Sequence, residues 1–309
     1  MKPLEHLSFR IRPVPPFRLD LTAWALRRRR ENIVDRWDGS VYRRVLMIEG
    51  YPIEVEVSQT GSPERSTLQV TAKGERLSPE AASVILATLE QMLGLRLDLK
   101  DFYAFAGTRR RLAPLADRFR GMKPPRFPTL FEAVANGIAC QQLSLTVGII
   151  LLSRLAEKYG VSFSNPGGNS HSFALPEGLA KTDISRFRAL GFSTQKSRAL
   201  IELARIAVVE GTDLGDMEKM DNKDVLERLY QLRGVGRWTG EYALLRGLGR
   251  IAVFPGDDIG ARNKLQLLLH VKNLDYERVG KIMKRWQPYG GFIYFHLLLA
   301  GLAAEGYLE

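Results

Sequence analysis

The sequence predicts an α+β protein in two units, a β-sheet-plus-helix domain over residues 1–105 and an all-α domain over residues 106–309. Three observations carry this reading. Period-two apolar alternation is confined to the first third of the chain. From about Leu99 onward, strand signals nearly vanish and apolar residues recur at helical spacing. The 309 residues, 45% hydrophobic and 26% charged, suffice for two separate cores.

Taken in order, Phe17–Leu21 alternates and reads as a strand, and Ala23–Asn32 as a short basic helix. Val41–Ile48, Tyr51–Val57 and Ser66–Ala72 are three further strands, parted by turns at Asp38-Gly39 and at Thr60-Gly61-Ser62-Pro63. Pro79–Leu93 is an amphipathic helix, with Ser78 as N-cap and Pro79 at the first helical position. Pro124–Pro128 is a stiff connector. Thr129–Tyr159 reads as one or two helices burying Leu130, Val134, Ile138 and Leu143. Asn165–Ser172 is a polar loop. Ser193–Glu210, Asn222–Leu232, Trp238–Leu248, Gly260–His270, Tyr276–Lys284 and Tyr289–Glu305 are the remaining helices. No internal repeat is present.

The formal net charge of +11 points to a polyanionic partner, usually nucleic acid. Cys140 is the only cysteine, which excludes an intrachain disulfide and any four-cysteine zinc or iron–sulfur site. His6, His171, His270 and His296 are scattered, so no transition-metal cofactor is expected. The N-terminus has no signal peptide and no 18-residue apolar run occurs, so a cytoplasmic protein without a membrane partner is expected. Arg27–Arg30 and Arg109–Arg111 are basic runs that serve either as DNA-backbone contacts or as solvated faces. Cys140 is expected to pack as a small hydrophobe and His296 as a core group.

The functional signal lies in Leu232-Arg-Gly-Val-Gly-Arg-Trp238 and Phe254-Pro-Gly-Asp-Asp258. The first reads as a helix ending in a Gly-x-Gly hairpin with a new helix starting at once. Gly234 and Gly236 allow positive φ or close approach of the backbone to a phosphate, and the next helix adds its unpaired N–H groups. Leu232 and Val235 anchor the turn, and Arg237 offers a second phosphate contact. The second segment sets two carboxylates before a helix. Asp257 is expected to act through the helix cap. Asp258 is left to stabilise an oxocarbenium-like sugar and to orient water, as cleavage of a base from deoxyribose requires.

With Asp258 standing 22 residues after Gly236, these motifs resemble the helix-hairpin-helix (HhH-GPD) DNA glycosylase superfamily, in its AlkA-type 3-methyladenine DNA glycosylase II branch. Phe131-Glu-Ala-Val-Ala-Asn-Gly-Ile-Ala-Cys-Gln-Gln-Leu-Ser144 is similar to the family's first helical segment, and Arg285-Trp-Gln-Pro-Tyr289 to its C-terminal motif. The resemblance implies a TBP-like N-terminal sheet domain and two helical subdomains with the DNA and base cleft between them. It implies Asp258 as the catalytic carboxylate, Trp238 and Tyr242 at the base pocket, and Gly234, Val235, Gly236, Arg237 and Thr239 on the DNA backbone. Trp238 falls where glycosylase/lyases carry their Schiff-base lysine. A monovalent cation, Na+ or K+, is implied on the backbone carbonyls of Tyr230, Leu232 and Val235. The wedge that fills the gap of a flipped nucleotide falls on Gln142 or Leu143, with Gln142 favoured because helical periodicity buries Leu143. Leu298 stands where the branch has a further pocket tryptophan. The implied activity is monofunctional excision of alkylated purines (3-methyladenine, 7-methylguanine) from double-stranded DNA by a monomer. The alternatives are a glycosylase/lyase for oxidised bases such as 8-oxoguanine and a non-catalytic DNA-binding module.

Overall fold

Alternating apolar residues build one five-stranded antiparallel sheet in the computed structural model, which describes residues 4–165 and 168–308. Its strands are β1 (Glu5–Ile11), β2 (Arg36–Trp37), β3 (Val41–Ile48), β4 (Tyr51–Thr60) and β5 (Thr67–Gly74), in the spatial order β1-β5-β4-β3-β2. The register sets Tyr42 beside Val57, Val57 beside Val70, and Leu46 beside Ile53. These side chains therefore share one face. Helices α1 (Leu19–Arg27) and α2 (Ala81–Met92) cover that face with Leu19, Ala23, Leu26, Ile85 and Leu89.

Two expectations fail here. Phe17–Leu21 is not a strand. Leu19 already opens α1, because Leu19, Ala23 and Leu26 at helical spacing bury against the sheet. Ser78 does not cap α2: Glu80 holds the N-cap position without a side-chain bond, and only the Ser78 carbonyl is used, by the Ala81 N–H. The sequence reading also lacks β1, although its Leu7, Phe9, Ile11 alternation is that of a strand.

The helical part comprises α3 (Lys100–Gly107), α4 (Ala113–Arg118), α5 (Leu130–Cys140), α6 (Leu145–Tyr159), α7 (Pro176–Ala180), α8 (Ile184–Ala189), α9 (Thr194–Glu210), α10 (Asn222–Tyr230), α11 (Arg237–Arg246), α12 (Ile259–Leu269), α13 (Tyr276–Arg285) and α14 (Gly290–Ala304). Asn165–Ser172 is not a plain loop: β6 (Ser162–Asn165) and β7 (Gly168–His171) pair as a hairpin. Residues 166 and 167 of that segment lie outside the described residues. Side chains of Thr129, Ser144, Ser193, Asp221, Asp258 and Asp275 cap the helices that follow them. No helix among the described residues is long and apolar enough to cross a membrane.

Two helical cores result. One gathers Phe131, Ile138, Leu152, Phe187, Leu200 and Leu229. The other gathers Phe102, Ala116, Leu265, Met283 and Phe295, together with Trp24 of α1. α11 lies between them and gives Leu244 to the first and Leu245 to the second. The sheet joins the helices through buried charge. Arg44 of β3 pairs with Asp35 at 2.7 Å and with Glu132 of α5 at 2.5 Å, and the Tyr42 hydroxyl donates to Asp35.

His296 is fully buried in α14, with Nδ1 2.7 Å from the Phe292 carbonyl and its ring against Phe102 and Phe119. Burial pushes its pKa down to about 4. An unfolded histidine titrates near 6.5, so the unfolded chain takes up this proton first as pH falls. The stability contributed by neutral His296 is whole above about pH 6.5 and is lost toward pH 4. We expect about 2 kcal/mol of loss between pH 7 and pH 5 that is absent from His296→Leu, read from urea midpoints of the two proteins.

Candidate active site

α10 ends at Tyr230, and residues 231–236 turn the chain into α11. Gly234 has φ +77, and a Cβ there would stand 2.9 Å from the Ala199 Cβ, so both backbone and packing demand glycine. Gly236 is different. Its φ is −103, and a Cβ would meet nothing within 4 Å. Gly236 is the N-cap of α11 without a side-chain acceptor, so the first N–H groups of that helix face outward uncapped. Val235 is buried in the first core and pins the turn. Arg237 is half exposed, stacks 3.7 Å over the Tyr276 ring and pairs with Asp257. The Thr239 side chain is buried and accepts from Gln141 Nε2 at 2.6 Å, which ties the hairpin to the α5–α6 loop.

The two carboxylates also divide their tasks differently than expected. Asp257 caps nothing; its Oδ2 accepts from Arg237 Nε at 2.5 Å. Asp258 is the N-cap of α12, with Oδ1 2.8 Å from the Ala261 N–H. Its Oδ2 accepts from the Tyr294 hydroxyl at 2.9 Å and from Trp238 Nε1 at 3.4 Å. One oxygen thus fixes the carboxylate to the helix while the other is presented to an aromatic wall. Glu241 of α11 steadies the loop from behind, accepting from the Gly256 N–H at 2.9 Å and from the Tyr276 hydroxyl. Desolvation raises the Glu241 carboxyl above the usual range and the Tyr294 phenol well above 10.

Asp258 lies at a cavity of about 830 Å³ between the two helical cores. Trp238 and Tyr242 form one wall with ring centroids 5.4 Å apart, and Leu298 lines the same space. The α5–α6 loop forms the rim. Lys196 donates to the carbonyls of Ala139 and Gln141 at 2.7 and 2.6 Å, and Gln141 Nε2 reaches the Gly234 carbonyl at 2.7 Å. This holds Gln142 in the left-handed region at φ +54. Leu143, expected in the core, is instead 42% exposed: α5 stops at Cys140, so helical periodicity no longer governs position 143. Cys140 is partly buried at the rim, and desolvation raises its thiol.

The Arg27–Arg30 run is not a solvated face. Arg28 is buried, donating to the Tyr242 hydroxyl at 2.9 Å and to Asn136 at 2.6 Å. Arg29 pairs with Glu305 at 2.8 Å and lines the cavity. Arg109 stacks over Phe105 and Arg111 donates to the Leu269 carbonyl, so both are engaged within the protein. Sequence reasoning missed Arg28, Glu241, Arg246 and Tyr294. A signal existed for Arg246, which continues the four-residue row Trp238, Tyr242 on α11. None existed for Arg28, which reaches the cavity from a distant part of the chain.

Residues 135–288 match the family model described as HhH-GPD superfamily base excision DNA repair protein. A DNA-3-methyladenine glycosylase of Bacillus subtilis is 27% identical over 218 residues, 69% of this chain and 72% of that one. DNA-3-methyladenine glycosylase 1 of Schizosaccharomyces pombe is 31% identical over 161 residues, covering 52% of this chain and 66% of that one. The solved structure of a 3-methyladenine DNA-glycosylase from Archaeoglobus fulgidus superposes with a TM-score of 0.82 at 24% identity, over 94% of this chain and 97% of that one.

Proposed function

The chain belongs to the HhH-GPD superfamily of base excision DNA repair proteins, and from that premise we propose that it is a monofunctional DNA glycosylase that flips alkylated purines out of duplex DNA and hydrolyses their N-glycosidic bond. One observation carries the assignment: Asp258 presents Oδ2 into a cavity walled by Trp238 and Tyr294 while its other oxygen is locked to α12. A fixed carboxylate needs no reorganisation as positive charge develops at C1′, and it can orient the attacking water. An N-alkylated purine is already cationic and leaves without a general acid, so a lone carboxylate suffices.

The bare N–H groups at Gly236 receive a DNA phosphate, supported by Arg237. The carbonyls of Tyr230 and Val235 accept none of the loop and cap backbone bonds among the described residues, while that of Leu232 accepts from Val235 N–H and keeps a second lone pair. This donor set suits Na+ or K+, which would neutralise part of the phosphate charge. Exposure of Leu143 makes it the wedge, with Gln142 beside it. The sheet part, up to the start of α3 at Lys100, and the helical part after it share the core around Trp24 and Phe102 and work together as a cytoplasmic monomer.

The test is release of 3-methyladenine and 7-methylguanine from modified duplexes, with strands left intact until alkali is added. Lys264 is an amine lining the cavity, so borohydride trapping discriminates the lyase alternative. A trapped adduct with nicking of an 8-oxoguanine duplex would displace this reading, and absence of any base release would reduce the protein to a DNA-binding module. Affinity for undamaged duplex should fall steeply between low and physiological salt, as phosphate contacts dictate; a salt-independent binding constant would rule out DNA as the partner.

A further inference from the structure

α11 serves the site with two sets of side chains. Trp238 and Tyr242 wall the cavity. Arg237 and Glu241, also one turn apart, instead reach the turn from Pro255 to Asp258 that carries the carboxylate. That turn is closed by the Asp258 N–H on the Pro255 carbonyl at 3.1 Å. It is tied to α11 at two successive residues, Gly256 by Glu241 and Asp257 by Arg237.

The two ties differ in kind. The Arg237–Asp257 pair is open to solvent, and such pairs are weak. Arg237 is also the side chain offered to a DNA phosphate, so a docking backbone competes with Asp257 for one guanidinium. The tie at Gly256 is buried. Both oxygens of Glu241 are used, one by the Gly256 N–H at 2.9 Å and one by the Tyr276 hydroxyl. Gly256 is itself buried and its N–H donates to no backbone carbonyl among the loop and cap bonds, so Glu241 is what satisfies it.

Tyr276 completes the arrangement from the start of α13, which Asp275 caps. A Cβ at position 256 would stand 2.9 Å from Tyr276 Cδ2 and 3.6 Å from Val279 Cγ1, so the ring lies directly against the glycine. The Arg237 guanidinium sits 3.7 Å over the same ring. Tyr276 therefore touches the turn, the carboxylate that holds it and the guanidinium that a phosphate would draw away. Position matters here, because a misplacement of about 1 Å can cost about 100-fold in rate. Were the Arg237 tie alone in holding the turn, docking of the DNA backbone would loosen Asp258 when it is needed.

We propose that Glu241 and Tyr276 are positioning residues for base release: their buried clamp on Gly256 keeps Asp258 aimed into the cavity when Arg237 passes from Asp257 to a DNA phosphate. This rests on the glycosylase reading and deepens it, since neither residue lines the cavity and both act through the turn.

Single-turnover release of 7-methylguanine, set beside the Kd for a duplex holding a stable abasic analogue, tests it in proteins that melt above the assay temperature. Tyr276→Phe keeps the ring against Gly256 and beneath Arg237 and removes only the hydroxyl. It should lower the rate about tenfold and leave Kd within about twofold. Glu241→Ala should lose about 100-fold, and Glu241→Gln, which still offers an acceptor to the Gly256 N–H, should recover most of that loss. An undiminished rate in Tyr276→Phe, rate and affinity falling together, or a glutamine protein no faster than the alanine one would overturn the proposal. Should Glu241→Ala fail to fold, Tyr276→Phe decides alone. Absence of release by the wild-type protein refutes the glycosylase reading itself.

Discussion

Asp258→Asn is expected to lower the single-turnover rate of base release by about 10²–10³ while leaving thermal stability and DNA affinity nearly unchanged. The two halves of this expectation come from the two oxygens. Asparagine is as good an N-cap as aspartate, so its Oδ1 still accepts from the Ala261 N–H and α12 keeps its start. What disappears is the negative charge that Oδ2 holds against Trp238 and Tyr294. Asp258→Ala separates the effects: it should lose the same activity and, in addition, about 1 kcal/mol of stability through the lost cap. Rapid-quench kinetics with thermal melts on both variants checks this. Near wild-type turnover in the asparagine protein would remove Asp258 from the chemistry.

Gly236→Asp should weaken duplex binding by about 10- to 100-fold and leave the melting temperature equal or higher. The position tolerates a side chain, since φ is −103 and nothing lies within 4 Å of a Cβ. A carboxylate there caps α11 and complements its dipole, which helps the fold. It also occupies the N–H groups offered to a phosphate and sets like charge against it; at a few ångströms this costs about 1–4 kcal/mol, depending on the local dielectric. Gly234→Ala is the contrast. It places a Cβ 2.9 Å from Ala199 in a backbone with φ +77, so destabilisation should come first. Fluorescence anisotropy with a labelled duplex, set beside calorimetric melts, distinguishes the two glycines. Undiminished affinity in Gly236→Asp would mean that DNA does not dock on this turn.

Much of this could be read from the chain because it is local. The strands β3, β4 and β5 follow from alternation, and the helix pair about the hairpin from periodicity interrupted by Gly234 and Gly236. The site itself was legible where a motif is contiguous, as with Asp258. The failures are non-local. Which of Asp257 and Asp258 caps α12 depends on Arg237, 20 residues away, drawing Asp257 aside. Leu143 looked like core because a helical repeat was carried past the end of α5, which only the Lys196 contacts to the Ala139 and Gln141 carbonyls explain. Arg28 lay inside a run of four arginines, and nothing in such a run marks which members turn inward.

The Arg44 bridge from the sheet to Asp35 and Glu132 has a further consequence. Removing Arg44 from the bridge would leave the buried Glu132 carboxylate without its ion-pair partner, at a cost of several kcal/mol. With Arg28 and Arg29 also carried from the N-terminal part into the cavity, that part acts as a keystone: withdrawn, it would open the wall of the pocket along with the interface. Sheet and helices are therefore expected to melt in one cooperative step, and damage to the outer strands should surface as lost activity in a cleft they never touch.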